Sequence, residues 1–307
     1  MSSPAWTVDV VSPQFPCGAA WLANAFLELD VALPELWGFD TGREWNCRDG
    51  VSTYAAADLP WRQTLASLRV GRTFRFRPDV RPRFSHAFPW QADLASRIVL
   101  ITRDPRDALY SEWRRHRRNL QLSASTGFKE FVRQPFFGGP ISNIDMLWLY
   151  LHTWLALRKD HPARIYVLRF EDWKHDPLGA LCSLTDWMGL SIGESAGRRA
   201  TEASDVRHLQ TIEAGLEAQD RNCRQFNRRG AANEWRASWD ASWFEVFGTH
   251  WTALFKGLNY DYVPSAVQAT ARVGFDAAEV LAWRELRDPV LVSKWRHVIK
   301  DSNRNIK

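Results

Sequence analysis

"RIVLITRDPRDALYS", residues 97–111, changes character halfway along. Arg97 to Thr102 is a nearly continuous apolar run, which is how a central parallel strand covered on both faces reads. Asp104 then stands in an N-cap position, Pro105 at the first helical position and Asp107 shortly after. The strand therefore feeds a helix that runs from Pro105 to about Arg118.

The same strand-then-helix order recurs on both sides. Upstream, "WTVDVVS" at 6–12 reads as a strand, and Gly18 to Leu29 as a helix with Leu22, Ala25, Phe26 and Leu29 on one face. Downstream, a helix over Ile144 to Lys159 precedes "RIYVLRF" at 164–170, a second buried-strand pattern. "HDPLGALCSLTDWMGL" then supplies Asp176 as cap, Pro177 at the first helical position and Gly189 at the end. Three such units predict an α/β fold with a mainly parallel central sheet flanked by helices, and ligands beyond the carboxyl ends of its strands. Residues 198–219 and 241–256 read as two further helices, joined by the Arg-rich "QDRNCRQFNRRGAANEWR".

Composition narrows the partners. With 307 residues, of which 45% are hydrophobic, the chain can bury one large core. No run approaches eighteen apolar residues, and "MSSPAWTVDVV" lacks the pattern of a signal peptide, so a soluble, cytoplasmic protein off the membrane is expected. Cys17, Cys47, Cys182 and Cys223 show none of the paired spacings of zinc or redox sites, which predicts reduced thiols and no metal centre. A net charge of +5 favours an anionic partner, whether nucleotide, acidic glycan or nucleic acid. The 17 tryptophans read as core packing rather than a stacking platform.

Three places can hold an anion. Arg103 closes the central strand and Ser111 lies two turns into the following helix, on the face of Asp107. A guanidinium and a hydroxyl converging there suit a phosphate. Arg228 and Arg229 precede Gly230, which lets a backbone approach closely; the plain alternative is a basic surface loop. The turn "SPQFPCGAAW" points the amides of a helix start at whatever lies before it.

In this order the segments resemble the cytosolic-type sulfotransferases that use 3′-phosphoadenosine 5′-phosphosulfate (PAPS) and release the bisphosphate PAP, over roughly Val8 to Phe247. "RDPRDALYS" is similar to the family's R-x-P-x-D-x-x-x-S, which implies that Arg103 and Ser111 hold the donor's 3′-phosphate. "RRGAANEWR" resembles R-K-G-x-x-G-D-W-K and implies Arg228, Arg229 and Gly230 on the same group. "LRFEDWKHDP" resembles L-x-Y-E-D-L-x-x-D-P, with Phe170 replacing a tyrosine that contacts adenine. The first turn aligns with Y-P-K-S-G-T-T-W, so Pro16, Cys17, Gly18, Ala19 and Ala20 would wrap the 5′-phosphosulfate and Trp21 would stack on adenine. "FSHAFPW" stands where the family has K-T-H-L-P, which puts His86 on the catalytic base. The resemblance implies a P-loop NTPase-like three-layer fold, with a sulfotransferase domain over residues 1–258 and a helical extension over 259–307 packed on it. It also implies transfer of a sulfuryl group from PAPS to the hydroxyl of a small-molecule or glycan acceptor, with no metal.

The departures sit in one place. Pro16 replaces the loop lysine, Cys17 the serine, and Ala19 and Ala20 both threonines, so backbone alone remains at the 5′ end. Losing one preorganised donor at a developing negative charge costs about 10²–10³ in rate. Arg72, Arg75, Arg77, Arg81 and Arg83 lie close to His86 in sequence, and Arg83 is the first choice to compensate. A protein that binds PAP or PAPS without turnover is the competing reading. Phosphoryl transfer is disfavoured by the absence of G-K-[ST] in the first loop, and nucleic-acid binding by the lack of any recognised module. The family's dimer signature has a partial echo from Arg236 to Glu245, which leaves monomer and homodimer both open.

Overall fold

Four strands share one sheet in the order β4-β1-β5-β6, every neighbouring pair parallel: β1 (Trp6–Val11), β4 (Val80–Ser85), β5 (Arg97–Thr102) and β6 (Ile165–Arg169). In this computed structural model the described residues are 6–31, 33, 51–52, 74–75, 77, 80–92, 96–118, 122–123, 125–219 and 230–261. Two short strands, β2 (Val51–Ser52) and β3 (Phe74–Arg75), pair antiparallel apart from the main sheet. Val8, Val10 and Val11 of β1 and Ile98, Val99, Leu100 and Ile101 of β5 are buried, as continuous apolar runs demand when helices cover both faces. The expected parallel sheet flanked by helices is the one observed.

Each central strand hands over to a helix at its carboxyl end. β1 leads through residues 12–18 into α1 (Ala19–Glu28), and β5 into α2 (Pro105–Arg118). α3 (Phe128–Arg133) and α4 (Asn143–Asp160) follow, the second started by Ser142, whose Oγ accepts from the Asp145 amide at 3.2 Å. β6 runs straight into α5 (Phe170–His175) and then α6 (Pro177–Met188). Asp176 Oδ1 caps α6 by accepting from the Gly179 amide at 2.9 Å. Gly189, at φ +80°, ends α6 where only glycine sits without strain.

Two helical expectations are corrected. The stretch 198–219 is two helices, α7 (Glu194–Ala203) and α8 (Val206–Gln219). Asp205 separates them because its carboxylate accepts from the Arg207 amide at 2.8 Å and restarts the helix. Past α9 (Glu234–Ser238), the stretch 241–256 is a 3₁₀ segment at Ala241–Val246 followed by α10 (Trp251–Gly257).

Most of the tryptophans among the described residues are buried in the core. Trp113, Phe128, Trp239 and Trp243 form a contiguous ring cluster that joins α2 and α3 to the 239–243 segment, and Trp251 lies buried beyond Phe247. Residues 262–307 lie outside the described residues, and most of the expected C-terminal extension lies with them. Tyr260 folds back on the sheet, its hydroxyl donating to Glu171 Oε2 at 2.7 Å.

Candidate functional site

Trp21, Phe170, Arg103 and Gly230 come from four separate segments and meet at the carboxyl ends of β1, β5 and β6. Gly18 begins α1 at φ +93°. A Cβ there would come within 2.6 Å of the Phe170 ring, so the turn needs glycine for its backbone angle and for space. The Phe170 and Trp21 rings lie 5.2 Å apart between centroids. From the far side Gly230 closes on Trp21, where an added Cβ would lie 2.7 Å from Cζ2. The residues expected to wrap a nucleotide thus enclose one aromatic pair. Arg228 and Arg229 fall outside the described residues.

Arg103 ties this group together. Its Nη1 donates to the Pro16 carbonyl at 3.2 Å and its Nη2 to the Ala231 carbonyl at 2.9 Å, so one guanidinium bridges the first turn and the 230–235 segment. It also lies 4.4 Å from the centroid of Phe170. Its Nε is buried without a partner. Ser111, on α2, is half-buried.

A charged layer lies beneath. Asp104 is held bidentately by Arg106 at 2.8 and 2.6 Å, and its amide donates to Glu171 Oε1 at 2.9 Å. Arg106 in turn lies 3.8 Å from the centroid of Trp235 and 4.7 Å from that of Phe255. Burial is the largest influence on the carboxyl of Glu171 and pushes it up, against its bond from Tyr260. Asp107 was legible only as a first-turn acid. In the fold it accepts from the amides of Asn233 and Trp235 on the distant segment, at 2.5 and 3.0 Å. Lys174 was also missed. Its Nζ lies 4.1 Å from the centroid of Trp21, and burial lowers its pKa while Asp205 raises it.

His86 follows β4 directly, on the far side of β1. Its Nδ1 lies 2.7 Å from the Ser12 carbonyl. A carbonyl only accepts, so this nitrogen holds the proton and Nε2 is the basic atom of the neutral ring. Ser12 opens the turn that ends at Gly18, and its amide donates to Ser85 O at 3.2 Å, so the imidazole is indexed to the turn itself. The adjoining backbone is fixed by Trp154 Nε1, which donates to Ala87 O at 3.1 Å. Phe84 meets the imidazole edge-on at 5.0 Å.

In the turn expected to wrap the 5′-phosphosulfate, Pro16, Ala19 and Ala20 bring no side-chain donor. Cys17 is buried and burial pushes its thiol up, which makes it an inert packing group rather than a nucleophile. The amides of Ala19 and Ala20 come before the first amide bonded within this turn, that of Trp21 to Gly18 O at 2.9 Å, and so stand as donors at the start of α1. Arg83 lies elsewhere: its guanidinium grips Asp9 at 2.8 and 3.1 Å across the β1–β4 pair. Asp9 is the register partner of Arg83, in the interior of β1 and short of the turn. Arg72 falls outside the described residues, and so do the side chains of Arg75 and Arg81. Arg77 donates its amide to Asp30 O at 2.8 Å.

Comparison with known proteins supplies the remaining findings. Among curated relatives, mouse Sulfotransferase 1A1 is 20% identical over 178 residues, covering 55% of this chain and 59% of that protein. Cytosolic sulfotransferase 3 of Arabidopsis thaliana is 20% identical over 152 residues, 47% of this chain and 48% of that one. The chain thus spans about half the length of the curated relatives it matches. Two solved structures share the fold. Retinol dehydratase in complex with androsterone and inactive cofactor PAP superposes with a TM-score of 0.51 at 18% identity, over 85% of this chain and 84% of that one. Retinol dehydratase with retinol and PAP gives 0.51 at 17%, over 86% and 84%. The profile of the sulfotransferase domain matches residues 68–258, more than half of the sequence, starting downstream of the 12–18 turn. The chain belongs to the sulfotransferase domain family.

Proposed function

We propose that this protein transfers the sulfuryl group of PAPS to a hydroxyl of a small-molecule or glycan acceptor, with His86 as the base. The observation that supports it most is the convergence of Trp21, Phe170, Arg103 and Gly230 on one site, bridged by the Arg103 guanidinium. Trp21 and Phe170 suit an adenine ring. Arg103, with a buried unpartnered Nε, and the half-buried Ser111 suit the 3′-phosphate, with Arg228 and Arg229 as further cations. PAP in the two retinol dehydratase structures accords with this assignment.

In this reading Nε2 of His86 takes the acceptor's hydroxyl proton as that oxygen bonds to sulfur. The bond from sulfur to the bridging oxygen breaks, and its electrons leave on the 5′-phosphate of PAP. The Ser12 carbonyl steadies the imidazolium through Nδ1–H, and the amides of Ala19 and Ala20 face the leaving phosphate. Phe84, Phe88 and Tyr150 surround the His86 segment with rings, which accords with a small apolar acceptor. The names androsterone and retinol in the related structures point the same way. The setting is cytoplasmic, as monomer or homodimer.

One observation favours a second reading. The donor-poor turn retains a fold for binding while offering little to the leaving group, as a PAP or PAPS binder without turnover would. Calorimetric titration with PAP, followed by transfer from labelled PAPS to a panel of phenols, alcohols and sugars, separates the two. Binding with transfer that His86→Ala removes supports the enzyme. Tight binding without transfer to any acceptor supports the binder, and failure to bind PAP sinks both.

A further inference from the structure

We propose that Asp107 is a positioning residue for the nucleotide site: its buried carboxylate latches the 230–235 segment to the β5–α2 junction, and nucleotide affinity depends on its ionisation. The inference rests on the nucleotide reading above.

The latch is a helix cap supplied from another part of the fold. α9 is preceded by Asn233, whose side chain makes no capping bond, so the helix does not satisfy its own first amides. Asp107, fully buried on α2, does so instead: Oδ2 takes the Asn233 amide at 2.5 Å and Oδ1 the Trp235 amide at 3.0 Å. Arg103 Nη2 stands 3.9 Å from Oδ2 and reaches on to Ala231 O at 2.9 Å. One carboxylate thus orients the phosphate-side arginine and fixes the turn that brings Gly230 against Trp21. Asn233 sits at φ +61°, a left-handed conformation that asparagine tolerates and that the two amide bonds stabilise.

The groups facing Asp107 among the described residues are few. Burial raises its pKa to about 6, Arg103 and the amides of Trp235 and Asn233 lower it, and Asp104 raises it. From the 230–235 segment main-chain amides point at it. Protonation turns one oxygen into a donor that faces an N–H, so one of the two latch bonds is lost as pH falls through about 6. Global stability responds with the opposite sign. A carboxyl raised by folding contributes stability that is fully present below its unfolded value of 3.8 and lost as pH rises through about 6. Acid should therefore weaken nucleotide binding without this group unfolding the protein, and a purely structural role would not separate the two.

The test is calorimetry with PAP at pH 7.5 and 5.5 on the wild type, Asp107→Asn and Asn233→Ala, with thermal melts alongside. Asp107→Asn puts an NH₂ against an N–H; it should bind PAP at least about tenfold more weakly at pH 7.5, with the melts showing that it is folded. Over the pH drop it should lose less affinity than the wild type, since the titration of PAP itself is common to both. Asn233→Ala strains the turn and should weaken binding by about two- to fivefold with the pH profile kept. The inference is overturned if Asp107→Asn binds as well as or better than the wild type, as simple relief of charge repulsion would give, or shows the wild-type pH slope. Should Asp107→Asn not fold, unchanged affinity in Asn233→Ala overturns it, and so does a wild-type profile accounted for by PAP alone. A wild type that ignores PAP at every pH fails the nucleotide reading itself, which is a different result.

Discussion

The β5–α2 junction and the β1–α1 turn adjoin each other through the Arg103–Pro16 bond and are built on opposite principles. At the first, Arg103, Asp104, Arg106 and Asp107 are buried and Glu171 half-buried; Arg103 reaches Ala231, Asp104 meets Glu171 and Asp107 meets Trp235, while Arg106 pairs with its neighbour Asp104 and packs on the distant Trp235 ring. At the second, Pro16, Cys17, Ala19 and Ala20 offer no side-chain donor, and the shape rests on Gly18 and on the carbonyls of Ser12 and Pro16. Buried charge is tolerable only when paired, so the junction constrains many residues at once. A backbone cradle constrains one glycine. On the function proposed above, the end assigned to nucleotide recognition is held in place by charge, and the end assigned to bond breaking is held by shape.

The most drastic way to break this contrast is Arg103→Ala. The substitution removes the bridge between Pro16 O and Ala231 O and leaves Asp107 buried without its cation. Removing one partner of a buried pair costs about 3–5 kcal/mol, so the melting temperature should fall and PAP affinity should drop by about 10²–10³-fold. Wild-type PAP affinity in a folded Arg103→Ala protein would mean that the charged end is not the recognition end. His86→Ala probes the other end. Turnover should fall by about 10²–10⁴ with PAP affinity unchanged, because the imidazole touches the turn through Ser12 O and not the phosphate side. Loss of PAP affinity in that variant would show that the two ends are not separable.

A gain-of-function experiment sharpens the contrast further. Ala19→Thr with Ala20→Thr adds two hydroxyl donors at the start of α1, where both residues are half-buried. If the missing side-chain donors limit the reaction, turnover should rise by about tenfold or more at unchanged PAP affinity. Single-turnover measurements of sulfuryl transfer check this, and an unaltered rate would mean that the amides already suffice.

How far the sequence discloses this arrangement follows the same division. The strands were legible because Arg97–Thr102 and Ile165–Arg169 are continuous apolar runs, and the helix starts because Asp104, Pro105 and Asp176 are local signals. Local capping also misled: 198–219 reads as one helix until the Asp205 carboxylate turns to the Arg207 amide. Partnerships over long separations were not legible at all. Asp107 and Asn233 are 126 residues apart, and Arg83 and Asp9 74 apart. An arginine next to the base segment looks the same in sequence whether it reaches a sulfate or a carboxylate, and only the register of β1 against β4 puts Arg83 on Asp9.

Arg83 also gives the smallest expected effect, and the most direct check on whether the turn borrows charge from outside. Its side chain is 52% exposed, so the ion pair itself is screened and worth little. Asp9 is only 10% exposed, and Arg83→Gln leaves it one weaker donor in place of a bidentate pair. The expected cost is about 1–2 kcal/mol, which lowers the melting temperature by a few degrees. Turnover should stay within about twofold of the wild type, since the guanidinium is spent on β1 in the interior of the sheet edge. If turnover instead falls by about a hundredfold while the melting temperature barely moves, Arg83 leaves Asp9 during the reaction and supplies the missing cation. The backbone-only account of the leaving-group side would then give way to one in which a neighbouring strand lends its charge, and the contrast between the two ends would shrink to a difference in where the cation is stored.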